Sequence, residues 1–555
     1  MKVKSIMSYE SFLENKANRI RLHVLHATTK AGSGHPTTCF SAAEIVSTLF
    51  FKEMNFDPEN MDYFDNDEFI LSKGHAAPIL YAVLMELGVL EAGSIMKLRQ
   101  SSSKLEGHPV PRIKGVRVTT GSLGQGLAIG IGMVYAKRLL NINRRIFVLI
   151  GDGEMAEGSV WEAINFAGRF QIPNIVAILD MNRLGQSGPT MYEWNSEEYK
   201  QRIMSFGWNV FTCDGHNLGE LIDVFEKAKT SKGPSFIIAK TVKGKGAIFL
   251  ENAEGWHGRV LNNKEALKVE KELLSRIGNV MVKPTNWILA KNKLEKTVLK
   301  LAVKTDYRLG DLVATREAYG KSLEKLGEID SKMVVLDSDV KNSTFTELFF
   351  KKYPGRSIES YIAEQDMVGI GLGLQTHGLN VFFSTFACFL SRAFDQLRMA
   401  AYSRANLKVA GSHAGISIGE DGPSQMGLED VSMFRSIFGS TVLYPCDAVS
   451  SEKLTCLTAS HKGISYLRTT RQKTPVIYGN EEEFRIGGSK VLRWSGSDVT
   501  TVLAAGITVH ETLKAYQILR RKGMSIRVVD CYSIKPMDEQ SIRLAAEETG
   551  ELVTV

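Results

Sequence analysis

Two apolar runs in this chain end on oxygen-bearing side chains. One reads Ile-Phe-Val-Leu-Ile from residue 146 and stops at Gly151-Asp152-Gly153-Glu154; the other reads Ile-Val-Ala-Ile-Leu-Asp-Met from residue 175 and stops at Asn182. Each has the length and β-branching of a strand buried on both faces. The amphipathic stretch Ser159–Gly168 between them predicts the crossover helix of a βαβ unit. Helical and strand patterns with Gly-rich turns continue to about residue 270, which predicts a parallel sheet in an α/β domain, 1–270. From Leu261 to Leu309 the chain is lysine-rich and amphipathic with Pro284 as its one proline, so 271–310 reads as a helical linker. A second α/β domain, 311–480, is expected from Ala314 onward. Its strands are Met333–Asp337, Glu359–Ala363, Val381–Thr385, Leu407–Gly411 and Thr441–Pro445. A third, 481–555, shows strands at Val499–Ala504 and Ile526–Asp530. Glu551–Val555 reads as the body of another strand.

In parallel sheets, ligands bind beyond the carboxyl ends of the strands. Asp152 and Asn182 would stand there side by side as hard oxygen donors, suited to Mg²⁺ or Ca²⁺ carrying a diphosphate. They fit equally an Asp N-cap and an Asn turn. Gly121-Ser-Leu-Gly-Gln-Gly126 puts glycines at a helix start, where free N–H groups favour phosphate; close helix packing explains the same glycines. His35, His75, His108, His257 and His413 lie in glycine-bearing, loop-like contexts where functional side chains gather. His23 sits in an amphipathic helix and reads as structural. Glu364 precedes Gly369–Gly373, expected to open a helix, and suits either a helix N-terminal carboxylate or an acid acting on a ligand. The three-residue spacing of Phe383, Phe386 and Phe389 is that of a helix core.

Size and composition narrow the class. The 555 residues are 44 % apolar and 23 % charged, ordinary for a globular enzyme of several domains. Net charge is +7, mild for this length and dispersed, with no basic block interleaved with aromatics, so nucleic acid is not expected as a partner. The six cysteines form no Cys-x-x-Cys and read as thiols of a reducing compartment. The start has no signal-peptide core, and the longest apolar stretch, near Val381–Leu390, is too short to span a membrane. Cytoplasm is the default expectation.

Gly-Asp-Gly followed about thirty residues later by Asn is the pattern of thiamine-diphosphate enzymes. With Gly32-Ser-Gly-His-Pro36, Ser72-Lys-Gly-His-Ala76, Gly107-His-Pro109, Gly121–Gly126, Ile362-Ala-Glu-Gln-Asp366 and Gly419-Glu-Asp-Gly-Pro-Ser-Gln425, the chain resembles the transketolase family nearly from end to end. Gln425, where many bacterial and yeast members carry His, points to the animal-like branch. The resemblance implies two thiamine-diphosphate-binding-type parallel-sheet domains followed by a partial C-terminal domain. It implies metal ligation by Asp152, Asn182 and the Leu184 carbonyl, with His75, Gly121, Ser122, Leu123, Gly153, Asn182, Gln186 and Lys243 on the cofactor. Glu364 would protonate the thiamine pyrimidine, with Phe386 and Phe389 around that ring. His35, His75, His108 and His257 would line the channel to the reactive carbon, binding sugar hydroxyls and moving protons. Arg316, Ser343, His413 and Arg471 would bind substrate phosphate, Asp421 would read a hydroxyl, and Gln425 would face the reacting carbons. The implied reaction moves a two-carbon ketol unit between sugar phosphates through a thiamine C2 carbanion, in a homodimer with its active sites at the subunit interface. Alternatives are another thiamine enzyme (a 1-deoxyxylulose-5-phosphate synthase or 2-oxo acid decarboxylating type), a non-catalytic paralogue, or a split form completed by a separate C-terminal chain.

Overall fold

The structure is a computed structural model that describes residues 8–278 and 302–555. It divides into two compact units, Met1–Leu294 and Glu295–Val555. Most of the linker expected at 271–310, Pro284 included, lies outside the described residues; of its described parts, 271–278 carries the end of the helix Asn263–Leu274 and 302–310 carries no helix. Among the described residues no helix is long and apolar enough to cross a membrane, and the six cysteines are free thiols.

The first unit opens with the helix Tyr9–Ala31, capped by the Ser8 side chain and closed by Gly32 in the left-handed region. His23 lies on it and pairs with Glu86 at 2.7 Å, a structural role as expected. The strands β1 (Glu68–Leu71), β2 (Ile146–Gly151), β3 (Ile175–Met181), β4 (Asn209–Asp214) and β5 (Ser235–Lys240) form a parallel sheet in the order β1-β2-β3-β5-β4. Every residue of β2 and β3 is buried, which explains their unbroken apolar runs. The crossover helix spans Gly158–Arg169. Gly151 pairs with Asp180 across β2 and β3, so both strands deliver their polar ends, Asp152 and Asn182, to one sheet edge.

The second unit contains β6 (Leu312–Ala314), β7 (Met333–Asp337), β8 (Ser357–Glu359), β9 (Asn380–Phe386), β10 (Leu407–Ser412), β11 (Thr441–Leu443), β12 (Ser465–Arg468), β13 (Lys473–Pro475), β14 (Lys490–Arg493), β15 (Thr501–Ala504), β16 (Arg527–Asp530), β17 (Ser533–Lys535) and β18 (Leu552–Thr554). Its main sheet runs β17-β11-β12-β10-β9-β7-β8, parallel except for β17. A four-stranded sheet, β14-β16-β15-β18, carries the last segment.

Three local expectations are corrected. The strand expected at Glu359–Ala363 is β8, which ends at Glu359; Tyr361 turns into the left-handed region at φ 55° and breaks the extension. The helix expected to open at Gly369–Gly373 already starts at Glu364 and runs to Gln375, with Glu364 and Asp366 in the first turn, where carboxylates oppose the helix dipole. The helix-core reading of the phenylalanines fails because Phe383 and Phe386 lie on β9 while Phe389 begins a short 3₁₀ turn.

Gly74 and Gly121 meet backbone to backbone: a Cβ on Gly74 would come within 2.6 Å of the Gly121 nitrogen. Main chain cannot swing aside as a flexible side chain can. Gly74→Ala should therefore destabilise the first unit by about 1–3 kcal/mol, read as a lowered denaturation midpoint with an unchanged m-value.

Candidate active site

At the edge where β2 and β3 end, Asp152 is buried. Its Oδ1 accepts from Gly153 N–H (2.9 Å), and its Oδ2 from Arg183 N–H (2.6 Å) and Thr190 Oγ1 (3.1 Å). Burial, reinforced by the Asp180 charge, pushes its carboxyl up to about 6. Asn182 turns its Oδ1 to Leu184 N–H at 3.2 Å. The Leu184 carbonyl accepts from Lys243 Nζ at 2.6 Å. Asp152 Oδ1, Asn182 Oδ1 and the Leu184 carbonyl each accept one hydrogen bond and keep a lone pair. This all-oxygen set, around a carboxylate short of positive charge, fits a hard divalent cation. Among the described residues no group of three or more His, Cys, Asp or Glu side chains forms a metal site, so a cation here would depend on amide and main-chain oxygens.

Behind these groups lies Asp180, fully buried on β3. Its Oδ2 accepts from Lys73, from Ser41 Oγ (2.6 Å) and from Asn182 Nδ2 (3.3 Å), and its Oδ1 from Thr241. Burial pushes its carboxyl up, but the Lys73 ammonium and these hydrogen bonds outweigh it and hold Asp180 below the usual carboxylate range. Glu154 ties the glycine loop down in the same manner. It accepts from Ser72 Oγ (2.5 Å), Gly124 N–H (2.8 Å) and Gly151 N–H (3.1 Å). The turn Gly121–Gly124 is thereby held beside Gly151, and the helix Gly126–Leu139 follows it. The His108 ring lies so close to Gly121 that a Cβ there would come within 2.3 Å of it. Ser122 and Leu123 lie on this turn and Gly153 is exposed beside it.

Three histidines form a triangle. Ring centroids are 5.2 Å apart for His35–His75, 5.2 Å for His35–His257 and 5.1 Å for His75–His257. His35 caps the short helix Pro36–Ser41, and His75 lies in the turn after β1. His257 Nδ1 lies 2.8 Å from Lys243 Nζ, so Nδ1 accepts and Nε2 carries the ring proton. Burial first, then neighbouring cations, lowers His35 to about 4 and His257 to about 3, and lowers His75 as well. Lys243, buried, is itself lowered to about 8, mainly by burial. Gln186 is exposed and lines a small recess with Leu184, Lys243 and His257.

The second unit gathers the remaining candidates at the carboxyl ends of β7, β9, β10 and β12. Glu364 is buried, 3.5 Å from Arg392. Phe386 stacks on Phe389 (5.3 Å, 5°) and on His413 (3.9 Å, 16°). Arg316 Nη1 donates to the Ser343 carbonyl (2.7 Å) and lies 3.4 Å from His413 Nε2. Asp337 holds the Ser343 turn through Val340 N–H and the hydroxyls of Thr344 and Thr346. His413 is lowered to about 3 by burial and then by Arg316 and Arg471. Arg471 is paired with Asp421 (3.0 Å) and Glu420 (2.9 Å). Gln425 lies on the same Gly419–Gly427 loop, half-buried. Sequence reasoning assigned no role to Ser72, Lys73, Glu154, Asp180, Thr241 or Arg392. The available signal was a lone Asp inside the apolar run of β3, which demands a buried cation from elsewhere in the chain.

Two parallel sheets with polar strand ends, one rich in glycine N–H groups and carboxamide oxygens, the other in stacked rings and arginines, define a cofactor-dependent α/β enzyme. The transketolase family models match as follows: the thiamine diphosphate binding domain at residues 13–284, the pyrimidine binding domain at 311–476 and the C-terminal domain at 487–555. The chain is 48 % identical over 548 residues to Transketolase-like protein 2 of Mus musculus, covering 98 % of this chain and 87 % of that one. It is 46 % identical over 549 residues to Transketolase of Homo sapiens, covering 98 % and 88 %. Among solved structures, transketolase from Campylobacter jejuni superposes with a TM-score of 0.86 at 26 % identity, covering 99 % of this chain and 92 % of that one. The chain belongs to the transketolase family.

The lowered histidines set a pH signature. The unfolded chain protonates these rings near pH 6.5, whereas the folded protein resists until about 4 at His35 and about 3 at His413. Between those values the unfolded state binds more protons, so their contribution to stability is complete above 6.5 and falls as pH drops through that window. Ring-nitrogen NMR should show both residues neutral at pH 5.5. Denaturation of His35→Asn should depend less on pH between 6.5 and 4 than that of the wild type.

Proposed function

We propose that this chain is a transketolase that moves a two-carbon ketol unit reversibly from a ketose phosphate such as xylulose 5-phosphate to an aldose phosphate such as ribose 5-phosphate or erythrose 4-phosphate. It would act in the pentose phosphate pathway of the cytoplasm, as a homodimer with active sites at the subunit interface. The observation that carries this reading is the neutral triangle of His35, His75 and His257, joined through Lys243 to the oxygen set Asp152–Asn182–Leu184. Sugar hydroxyls need neutral donors and acceptors in close array, and a diphosphate carried on a cation needs oxygen ligands. Family membership supports it further.

Thiamine diphosphate, when bound, would supply the carbon nucleophile that ketol transfer requires. Asp152, Asn182 and the Leu184 carbonyl would hold Mg²⁺ or Ca²⁺, and Gly121, Ser122, Leu123, Gly153 and Gln186 would meet the diphosphate group. Glu364, buried at the first turn of its helix, would hold a proton against the pyrimidine nitrogen, with Phe386 and Phe389 excluding water around it. His257 presents Nε2–H as a donor because Lys243 occupies Nδ1. His35 Nδ1, buried, makes no hydrogen bond to the described residues and offers its lone pair or proton to a substrate hydroxyl. His75 and His108 would extend this proton-moving array. Arg316 and Arg471 suit a phosphate dianion, since the guanidinium fork donates two hydrogen bonds. His413 and the Ser343 turn lie beside Arg316. Asp421 and Gln425 would read substrate hydroxyls near the reacting carbons.

A coupled assay with xylulose 5-phosphate and ribose 5-phosphate should yield glyceraldehyde 3-phosphate and sedoheptulose 7-phosphate only with thiamine diphosphate and Mg²⁺. Folded protein that binds the cofactor and forms neither product would refute the reading. Glu364→Ala should still bind the cofactor but slow exchange of its C2 proton, read by NMR, by about 10²–10⁴-fold. Asp152→Ala should instead lose metal-dependent cofactor binding.

A further inference from the structure

We infer that Asp180 is a positioning residue: its carboxylate turns the Asn182 amide so that Nδ2 points inward and Oδ1 is presented to the divalent cation. This rests on the metal reading above and goes beyond it by assigning the group that makes an ambiguous side chain a defined ligand. An asparagine amide has two ends of nearly equal shape, one of which repels a cation. Residues 180 and 182 lie two apart at the end of β3, where side chains share a face. Asn182 Nδ2 donates to Asp180 Oδ2 at 3.3 Å, and Asn182 Oδ1 accepts from Leu184 N–H at 3.2 Å. Rotating the amide by half a turn would set Oδ1 against a carboxylate and Nδ2 against an N–H donor, so both contacts would become repulsive.

Asp180 can do this because it is itself immobilised. Lys73, Ser41 and Thr241 all donate to it, and Lys73 Nζ also reaches the Thr38 carbonyl at 3.4 Å. With donors on both oxygens and a cationic partner, Asp180 is neither a substrate group nor a spare metal ligand. Second-layer partners of this kind orient ligands in metal sites.

The test is calorimetric titration of Mg²⁺ into the full-length protein in the presence of thiamine diphosphate, with folding checked by circular dichroism. Asp180→Asn keeps the shape but offers Asn182 an amide that can invert the hydrogen bond; the expected loss of Mg²⁺ affinity is about 10–100-fold. Ser41→Ala removes a bond to Asp180 without touching Asn182, and should lower thermal stability while leaving Mg²⁺ affinity within about twofold, smaller than the second-layer range. The double variant Asp180→Asn/Asn182→Asp restores the hydrogen bond with donor and acceptor exchanged and gives residue 182 two oxygens, so affinity should recover. Wild-type Mg²⁺ affinity in Asp180→Asn, beside a loss in Asn182→Ala, would overturn the inference and leave the metal reading standing. Wild-type affinity in Asn182→Ala would overturn both. If Asp180→Asn does not fold alone, the double variant decides: affinity as weak as that of Asn182→Ala overturns the proposal.

Discussion

The buried carboxylate of Asp180 is the constraint on which the first unit's site depends. Its donors come from four chain segments: the helix that His35 caps, the turn that carries His75, the end of β3 at Asn182, and the end of β5 two residues before Lys243. Removing any of these donors leaves a buried charge less satisfied, which costs more than an ordinary hydrogen bond contributes. A buried ion pair such as Lys73–Asp180 adds little net stability, since the desolvation of two charges offsets their attraction. What it contributes here is geometry: histidines far apart in the chain are brought to the same sheet edge in a fixed relation.

The second unit uses the same device with different chemistry. Asp337, at the end of β7, is pushed up to about 7 by burial and accepts from Thr344, Thr346 and Val340, which shapes the turn that presents Ser343 to Arg316. Glu364 owes its place to the break at Tyr361, which ends β8 and starts the next helix at the acid itself. In both units a strand ends in a carboxylate that organises its surroundings, and the candidate ligand-facing groups stand on the turns it organises.

The strands were legible because burial on both faces leaves an uninterrupted apolar record, as in β2 and β3. The candidate site was legible where an acid or histidine fell just past a strand, as with Asp152 and His75, and where glycines preceded a helix, as in the Gly121 turn. The organising pairs were not. Lys73 and Asp180 are 107 positions apart, Ser41 and Asp180 139, and Ser72 and Glu154 82. No periodicity links residues at such distances; only the folded sheet brings them together. The misplaced start of the Glu364 helix has a local cause: Gly369–Gly373 resembled a glycine-rich helix start but lies within a helix packed on β9, where a Cβ placed at Gly371 would meet Phe383 and Val381 at ordinary contact distances of 3.4 and 3.5 Å.

Each unit holds charged groups whose protonation is set first by burial. In the first, Asp152 is buried with its carboxyl raised to about 6, and Lys243 is lowered to about 8 while it serves carbonyls and an imidazole. Lys73 draws the Asp152 carboxyl down, but burial and the Asp180 charge outweigh it. In the second, Arg316 and Arg471 both lower His413, and Arg471 is held by two exposed carboxylates that a phosphate dianion can replace. Glu317 lies near Arg316 as well, so the arginines of this edge have carboxylate neighbours. Burial, with the lysines Lys73 and Lys243 close by, keeps His75 and His257 neutral at the first edge. A neutral imidazole both donates and accepts a hydrogen bond, which the protonated ring cannot do.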